Sequence, residues 1–175
     1  MGHLPLHLRH PPPRRVLEKF AGNLKRELPR IPFSPDFDAF AKVGAELARL
    51  HIDYEKLDPW PLQFIENPAE PFSWRVERMR LSKDKSTVVV NPSLTLTGFP
   101  PEAYEYRLGN RSAIEWVIDQ YRVTEDARSG IRSGIRSDPN RPADPEYIVS
   151  LLGRVTRVSL KTVRLVNSLP AAYCS

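Results

Sequence analysis

STVVVNPSLTLTG, residues 86–98, is the stretch that decides the fold. Its valines and threonines favour extended backbone, so residues 86–90 and 94–98 are each predicted to be a strand. The stretch SWRVERMRL, residues 73–81, predicts a further strand upstream, joined to the next by a polar turn. We therefore expect a small antiparallel sheet, made of a hairpin over residues 73–90 and a short third strand.

Apolar residues at helical spacing and capping signals predict five helices around this sheet. Ser112 and Glu115 form a capping box for one of them, and Gly109 is expected to end the helix before it. Ser159 leaves open whether the last helix is continuous or broken in two. The predicted class is α+β, with several helices, a small antiparallel sheet and a long C-terminal helix. The predicted helices are residues 16–28, 34–51, 100–106, 112–121 and about 146–168.

The 175 residues suffice for one domain with its own core. Residues 1–19 are rich in proline, histidine and arginine, so we expect a disordered or atypical segment there and a domain over residues 20–175. Prolines predict a loop over residues 57–72, and polar residues predict another over 124–144. Cys174 is the one cysteine and cannot form an internal disulfide, which is typical of a cytoplasmic protein.

The net charge of +5 comes from the N-terminal segment. Residues 1–30 hold seven Lys/Arg and two Glu, whereas residues 31–175 hold 19 basic and 19 acidic residues. The signs are segregated along this neutral body, which suits a protein that meets a polyanion on one face. The clusters of cations are Arg78, Arg80, Lys83 and Lys85; Arg128, Arg132, Arg136 and Arg141; and Arg154, Arg157, Lys161 and Arg164.

Motifs that carry catalysis are missing from the sequence. It has no phosphate-binding loop, no GxGxxG, no HExxH and no GxSxG. Asn91-Pro92 continues as Ser-Leu and so departs from the adenine methyltransferase motif. The histidines at 3, 7 and 10 have spacings compatible with a metal patch, but they lie among prolines. We therefore predict a non-enzymatic chain with no catalytic residues, no metal and no cofactor.

Four stretches resemble the C-terminal part of Type ISP restriction-modification enzymes. One of them covers residues 91–123, and its tract YRLGNRSAIEWVIDQYRV, residues 106–123, is the most specific part. The resemblance runs from about Phe20 to Pro170. It implies a large polypeptide with nuclease, helicase-translocase, methyltransferase and target-recognition parts, of which this chain is similar only to the last. The proline-rich N-terminus departs from that pattern, and we interpret the chain as a fragment of a longer gene. The other stretches are residues 24–40, 44–55 and 144–170.

The resemblance implies a DNA-specificity module whose partner is double-stranded DNA. The hairpin cations and the arginines of the 124–144 loop are then the candidates for DNA contact. Asn110 and Arg111 are secondary candidates, and structural hydrogen bonds at the helix junction are the alternative for both. The stripe from Arg154 to Arg164 has three interpretations: contact with phosphates, docking on the upstream methyltransferase or helicase portion, or a solvated helix face. For every cluster, solvated surface charge is the competing interpretation.

Two other functions remain open at the level of sequence. The chain is alternatively an interaction or scaffold module that packs against the methyltransferase-helicase part, or a gene remnant without function. DNA binding that weakens steeply with salt would distinguish the DNA-specificity module from both of these alternatives.

Overall fold

The computed structural model describes residues 36–125 and 135–170, and their side chains except for those of 124, 125 and 135–137. The predicted helix 16–28, the segment 1–19, Arg128 and Arg132 lie outside the described residues. Among the described residues, no helix is both long and apolar enough to cross a membrane.

A four-stranded antiparallel sheet forms one layer of the fold among the described residues. Its strands are β1 Gln63–Glu66, β2 Arg80–Leu81, β3 Thr87–Asn91 and β4 Leu94–Thr97, in the order β1-β4-β3-β2. The two strands predicted from residues 86–98 are confirmed as the central pair, β3 and β4. Their inward residues Val88, Val90, Leu94 and Leu96 are completely or almost completely buried, as expected for the face of a half-covered sheet.

Strand β1 corrects the prediction of a loop over residues 57–72. It pairs with β4 along its whole length, from Gln63 opposite Thr97 to Glu66 opposite Leu94. The prolines that suggested a loop flank the strand and do not interrupt it. Four residues between prolines are too few to give a periodic signal in the sequence.

The first strand of the predicted hairpin is much shorter than expected, because only β2 is paired within residues 73–81. Hydrogen bonds from two asparagine side chains take the place of the backbone hydrogen bonds of a strand ladder. The buried Asn91 donates from Nδ2 to the carbonyls of Ser73 and Arg75, at 2.7 and 2.8 Å. Asn140 binds both backbone groups of Val76, accepting from its N–H at 2.8 Å and donating to its carbonyl at 2.7 Å. Residues 73–76 are therefore held beside the sheet by side-chain hydrogen bonds without belonging to it.

Within residues 36–125 and 135–170, three α-helices pack on this framework: α1 Phe37–Ile52, α2 Ala113–Gln120 and α3 Tyr147–Asn167. The capping box of α2 is confirmed, with Ser112 Oγ accepting from the Glu115 N–H and the Glu115 carboxylate accepting from the Ser112 N–H. Helix α3 is continuous, and Ser159 donates to the Val155 carbonyl at 2.8 Å. Asp36 caps α1, its carboxylate accepting from the Ala39 N–H at 2.9 Å. Short 3-10 helices lie at Tyr54–Lys56 and Pro101–Glu105.

Helix α3 crosses the core and touches the loop before β1 at Gly153. The Gly153 carbonyl accepts from the Trp60 N–H at 3.0 Å, and a Cβ at Gly153 would lie 2.7 Å from Pro59 Cβ. Only glycine allows this close approach. The core around this crossing joins α3 to the sheet, to the Pro101–Glu105 helix and to α2, through Ile148, Leu151, Leu152, Leu96, Phe99, Ala103 and Ile114, among others.

A tight hairpin, β5 Arg107–Leu108 and β6 Arg111–Ser112, leads into α2. Gly109 begins its two-residue turn with a φ of 71°, so it does not end the preceding helix as predicted. That helix ends at Glu105. A positive φ at the first turn position alone is typical of a type II′ hairpin, which favours glycine there. In the predicted 124–144 loop, β7 Thr124–Glu125 pairs with β8 Ile135–Ser137.

Candidate nucleic-acid interface

A cleft of about 310 Å³ lies between the β2 segment, the β5–β6 hairpin and α2. Its apolar lining comes from Met79, Leu81 and Ile118. Its polar lining has three arginines and two carboxylates, which gives one excess positive charge. These polar residues are Arg78, Asn110, Arg111, Arg122, Glu115 and Asp119. The cleft therefore brings together the hairpin candidate Arg78 and the secondary candidates Asn110 and Arg111.

Asp119 holds two of the three arginines. Its Oδ2 lies 2.8 Å from the Arg111 guanidinium, and its Oδ1 lies 3.7 Å from that of Arg122. Arg111 also sits over the Trp116 ring, 5.8 Å from its centroid, within the range of a cation–π contact. Arg111 thus makes the structural contacts that were the alternative to DNA contact for this residue.

Glu115 is neutralised by Lys85, one of the predicted DNA-binding cations. The Lys85 ammonium lies 2.8 Å from Glu115 Oε1 and 5.3 Å from the centroid of the Tyr104 ring. Partial burial opposes ionisation of Glu115, but hydrogen bonds from Lys85 and Ser112 outweigh it and lower the pKa of Glu115 to about 2. Lys85 therefore ties the turn before β3 to the start of α2.

Arg78, Arg80 and Lys83 differ from Lys85 in having no side-chain partner among the residues that the structure describes. All three are exposed, and they follow one another along the segment that enters and leaves β2. Arg78 also lines the cleft. Cations without a partner give up no intramolecular interaction when they meet an anion, so these three are the available positive charges of the hairpin.

Of the loop cluster, only Arg141 has a described side chain. Its guanidinium lies over the Tyr147 ring, with Cζ 3.3 Å from the centroid. Arg136 lies in β8, and its side chain, like the whole of Arg128 and Arg132, falls outside the described part. Asp138, next to β8, forms an ion pair with Arg75 at 2.6 Å.

The cationic stripe of α3 divides into two pairs. Arg154 donates from Nε to the Leu57 carbonyl at 3.2 Å, and Arg157 donates to the Pro59 carbonyl at 3.1 Å. These two arginines hold the loop that crosses α3. Lys161 and Arg164 are exposed, and neither has a partner within residues 36–125 and 135–170.

Comparison with protein families gives a match to the Type ISP C-terminal specificity domain over residues 16–151. The chain belongs to this family. A search of curated proteins gives no significant match. The specificity domain is a non-catalytic region of Type ISP enzymes.

Solved structures agree with this assignment. The specificity domain resembles part of LlaBIII, an ATP-dependent Type ISP restriction-modification enzyme solved bound to DNA, with a TM-score of 0.75 and 33% identity over 92% of this chain. It resembles a nuclease-deletion mutant of the Type ISP enzyme LlaGI, in complex with a DNA substrate mimic, with a TM-score of 0.70 and 39% identity over 87%. A DrdV–DNA complex gives a TM-score of 0.72 and 37% sequence identity over 90% of this chain. The chain spans 10%, 12% and 16% of these proteins.

Sequence reasoning did not find Arg122 and Asp119 as members of the cleft of the specificity domain. Both lie in the family-like tract 106–123, Asp119 within α2 and Arg122 two residues after its end. Nothing in the sequence shows that they face residues 78–81. The capping box was the usable signal, because it fixes where α2 begins and hence which of its residues share a face.

Proposed function

We propose that this chain is the DNA target-recognition module of a Type ISP restriction-modification system, and that it contacts duplex DNA through Arg78, Arg80 and Lys83. The observation that carries the proposal is the absence of any intramolecular partner for these three exposed cations in the described structure, beside a cleft with excess positive charge. Relatives that share this domain were solved with DNA.

The three cations are suited to holding phosphates. Lysine and arginine side chains are among the groups that contact phosphates in DNA complexes, and these contacts fix the register of the protein on the duplex. Because β2 is paired with β3, the backbone that carries Arg80 is positioned by the sheet. Cutting, translocation and methylation would then belong to other parts of such an enzyme, and no cofactor is needed in this module.

A salt series tests the proposal. Binding of the chain to a random-sequence duplex, measured by fluorescence anisotropy, should weaken as salt rises. In the double variant Arg78→Ala/Arg80→Ala, the slope of log affinity against log salt should fall by about 0.9 for each phosphate that the variant no longer neutralises. The double variant Lys42→Ala/Arg49→Ala removes the same charge from exposed positions on α1 and should leave the slope unchanged. Equal slopes for both double variants would contradict the assignment of these residues.

A second function has one observation in its favour. Phe64 and Phe72 are 47% and 45% exposed, and both pack edge-on against Trp74. An exposed apolar patch of this kind is typical of a surface that is covered in an assembly. The domain would then be a scaffold that packs against the methyltransferase-helicase part. Under this alternative, the chain shows no measurable DNA binding even at low salt.

A further inference from the structure

The turn of the β5–β6 hairpin is held at three points by neighbouring side chains. Trp116 donates from Nε1 to the Leu108 carbonyl at 3.1 Å. The Arg107 guanidinium donates to the Asn110 carbonyl, and Arg111 is paired with Asp119 at 2.8 Å. A two-residue turn that begins with glycine adds its own restriction of the backbone. Every one of these contacts fixes the position of Asn110 without using its side chain.

Asn110 has a carboxamide without a partner in the described part of the chain, and the residue is exposed and lines the cleft. Three other asparagines behave differently. Asn67, Asn91 and Asn140 each donate from Nδ2 to backbone carbonyls, at 3.2 Å or less. At these positions the fold uses the carboxamide. At 110 asparagine suits the Gly-Asn turn, but its carboxamide is left without a partner in the described residues and, unlike that of the exposed Asn167, it lines the cleft.

We propose that Asn110 reads an adenine of the target sequence from the major groove. A carboxamide presents one acceptor and one donor group side by side, which matches the N6 donor and N7 acceptor of adenine. Guanine presents two acceptors on the same edge and would leave the Asn110 oxygen facing an acceptor. The inference rests on the proposed function, since it names the base pair that this module would recognise.

The charges around Asn110 permit this approach to DNA. Both carboxylates of the cleft are paired, Asp119 with Arg111 and Arg122 and Glu115 with Lys85, so neither presents an unpaired negative charge to a phosphate. Arg78 lines the same cleft and has no partner in the described structure. Leu108, 47% exposed, offers an apolar group on the same turn, and such groups contact the thymine methyl of an A·T pair. Base reading by Asn110 and phosphate contact by Arg78 are therefore compatible.

The experiment selects bound duplexes from a randomised library and sequences them. With the unaltered chain we expect enrichment of A·T at one position or more. With Asn110→Ala, enrichment at one such position should fall roughly tenfold, the discrimination that a bidentate base contact supplies. The affinity of this variant for random duplex and its salt slope should not change. Asn110→Gln keeps the carboxamide and should retain part of the preference. Asn167→Ala, at an exposed asparagine near the end of α3, is the matched control and should change nothing.

The outcomes separate the two proposals. If the unaltered chain does not bind duplex DNA at low salt, the proposed function fails and the inference fails with it. If it binds with a normal salt slope and Asn110→Ala keeps every A·T preference, only the role of Asn110 is overturned. Equal thermal unfolding midpoints for the variants and the unaltered chain show that a weakened preference does not come from an unfolded chain.

Discussion

Single side chains decide which cations of this domain remain available. Lys85 and Arg78 look equivalent in the sequence, yet Lys85 is paired with Glu115 while Arg78 has no partner in the described structure. The same division separates Arg154 and Arg157, which hold backbone carbonyls, from Lys161 and Arg164. Sequence reasoning identified the cationic clusters but not this division, because the carboxylates and carbonyls that engage them come from distant segments.

Gly153 gives the sharpest residue-scale prediction. In Gly153→Ala the new Cβ would lie 2.7 Å from Pro59 Cβ and 3.1 Å from the Trp60 carbonyl oxygen, so the loop or α3 must shift. We expect a decrease of about 1–3 kcal/mol in the free energy of unfolding, as for overpacked cores. Urea unfolding followed by tryptophan fluorescence measures it.

Gly44→Ala is the control, because Gly44 lies within α1 with nothing within 4 Å of the added Cβ. It should stabilise the domain by roughly 0.5–1 kcal/mol through helix propensity. If Gly153→Ala proved as stable as Gly44→Ala, the close approach of α3 and the loop would be contradicted.

At the scale of elements, the periodicity of apolar residues predicted those helices and strands whose formation depends on local sequence. The central strands, α2 with its capping box and the long α3 are confirmed, because each has several turns or alternations of pattern. The segment 73–79 has a strand-like pattern but is bound by Asn91 and Asn140 instead of a ladder. Asn140 lies 64 residues from Val76, so no local pattern could have indicated it.

The stability that the Lys85–Glu115 ion pair gives to the contact between α2 and the turn before β3 should depend on pH. The pKa of Glu115 is lowered from 4.5 to about 2, so its ionised form stabilises the fold. That contribution is complete above the unfolded value near 4.5 and is lost as pH falls toward 2. Glu115→Gln keeps the capping box but not the charge. Its free energy of unfolding should therefore lie below that of the unaltered chain at pH 6, and the difference should shrink in acid.

Glu102→Gln removes an exposed carboxylate that has no partner in residues 36–125 and 135–170. Its effect on unfolding at pH 6 should be much smaller than that of Glu115→Gln. If the difference in free energy of unfolding between Glu115→Gln and the unaltered chain stayed constant from pH 6 down to pH 2, the Lys85–Glu115 ion pair would not stabilise the fold.

At the scale of the whole molecule, the exposed edge of the sheet at β1 is the surface that favours association between molecules. Strand β1 is exposed along its length and pairs with β4 alone among the strands that the structure describes. Exposed edges with apolar residues such as Ile65 promote pairing between molecules, and lysine on an edge opposes it. We expect the isolated domain to associate as its concentration rises, and Ile65→Lys to reduce that association. Sedimentation velocity over a concentration series measures it. Thr95→Lys, on the central strand β4, is the comparison and should have less effect.

The braced turn at Asn110 has a consequence for evolution. Since the hairpin is held through main-chain carbonyls and through Arg111, exchange of the side chain at position 110 disturbs no interaction within the described domain. Descendant sequences can therefore vary there without compensating changes elsewhere. Selection on such a position would act through the ligand and through the residue preference of the turn, not through side-chain contacts elsewhere in the described domain.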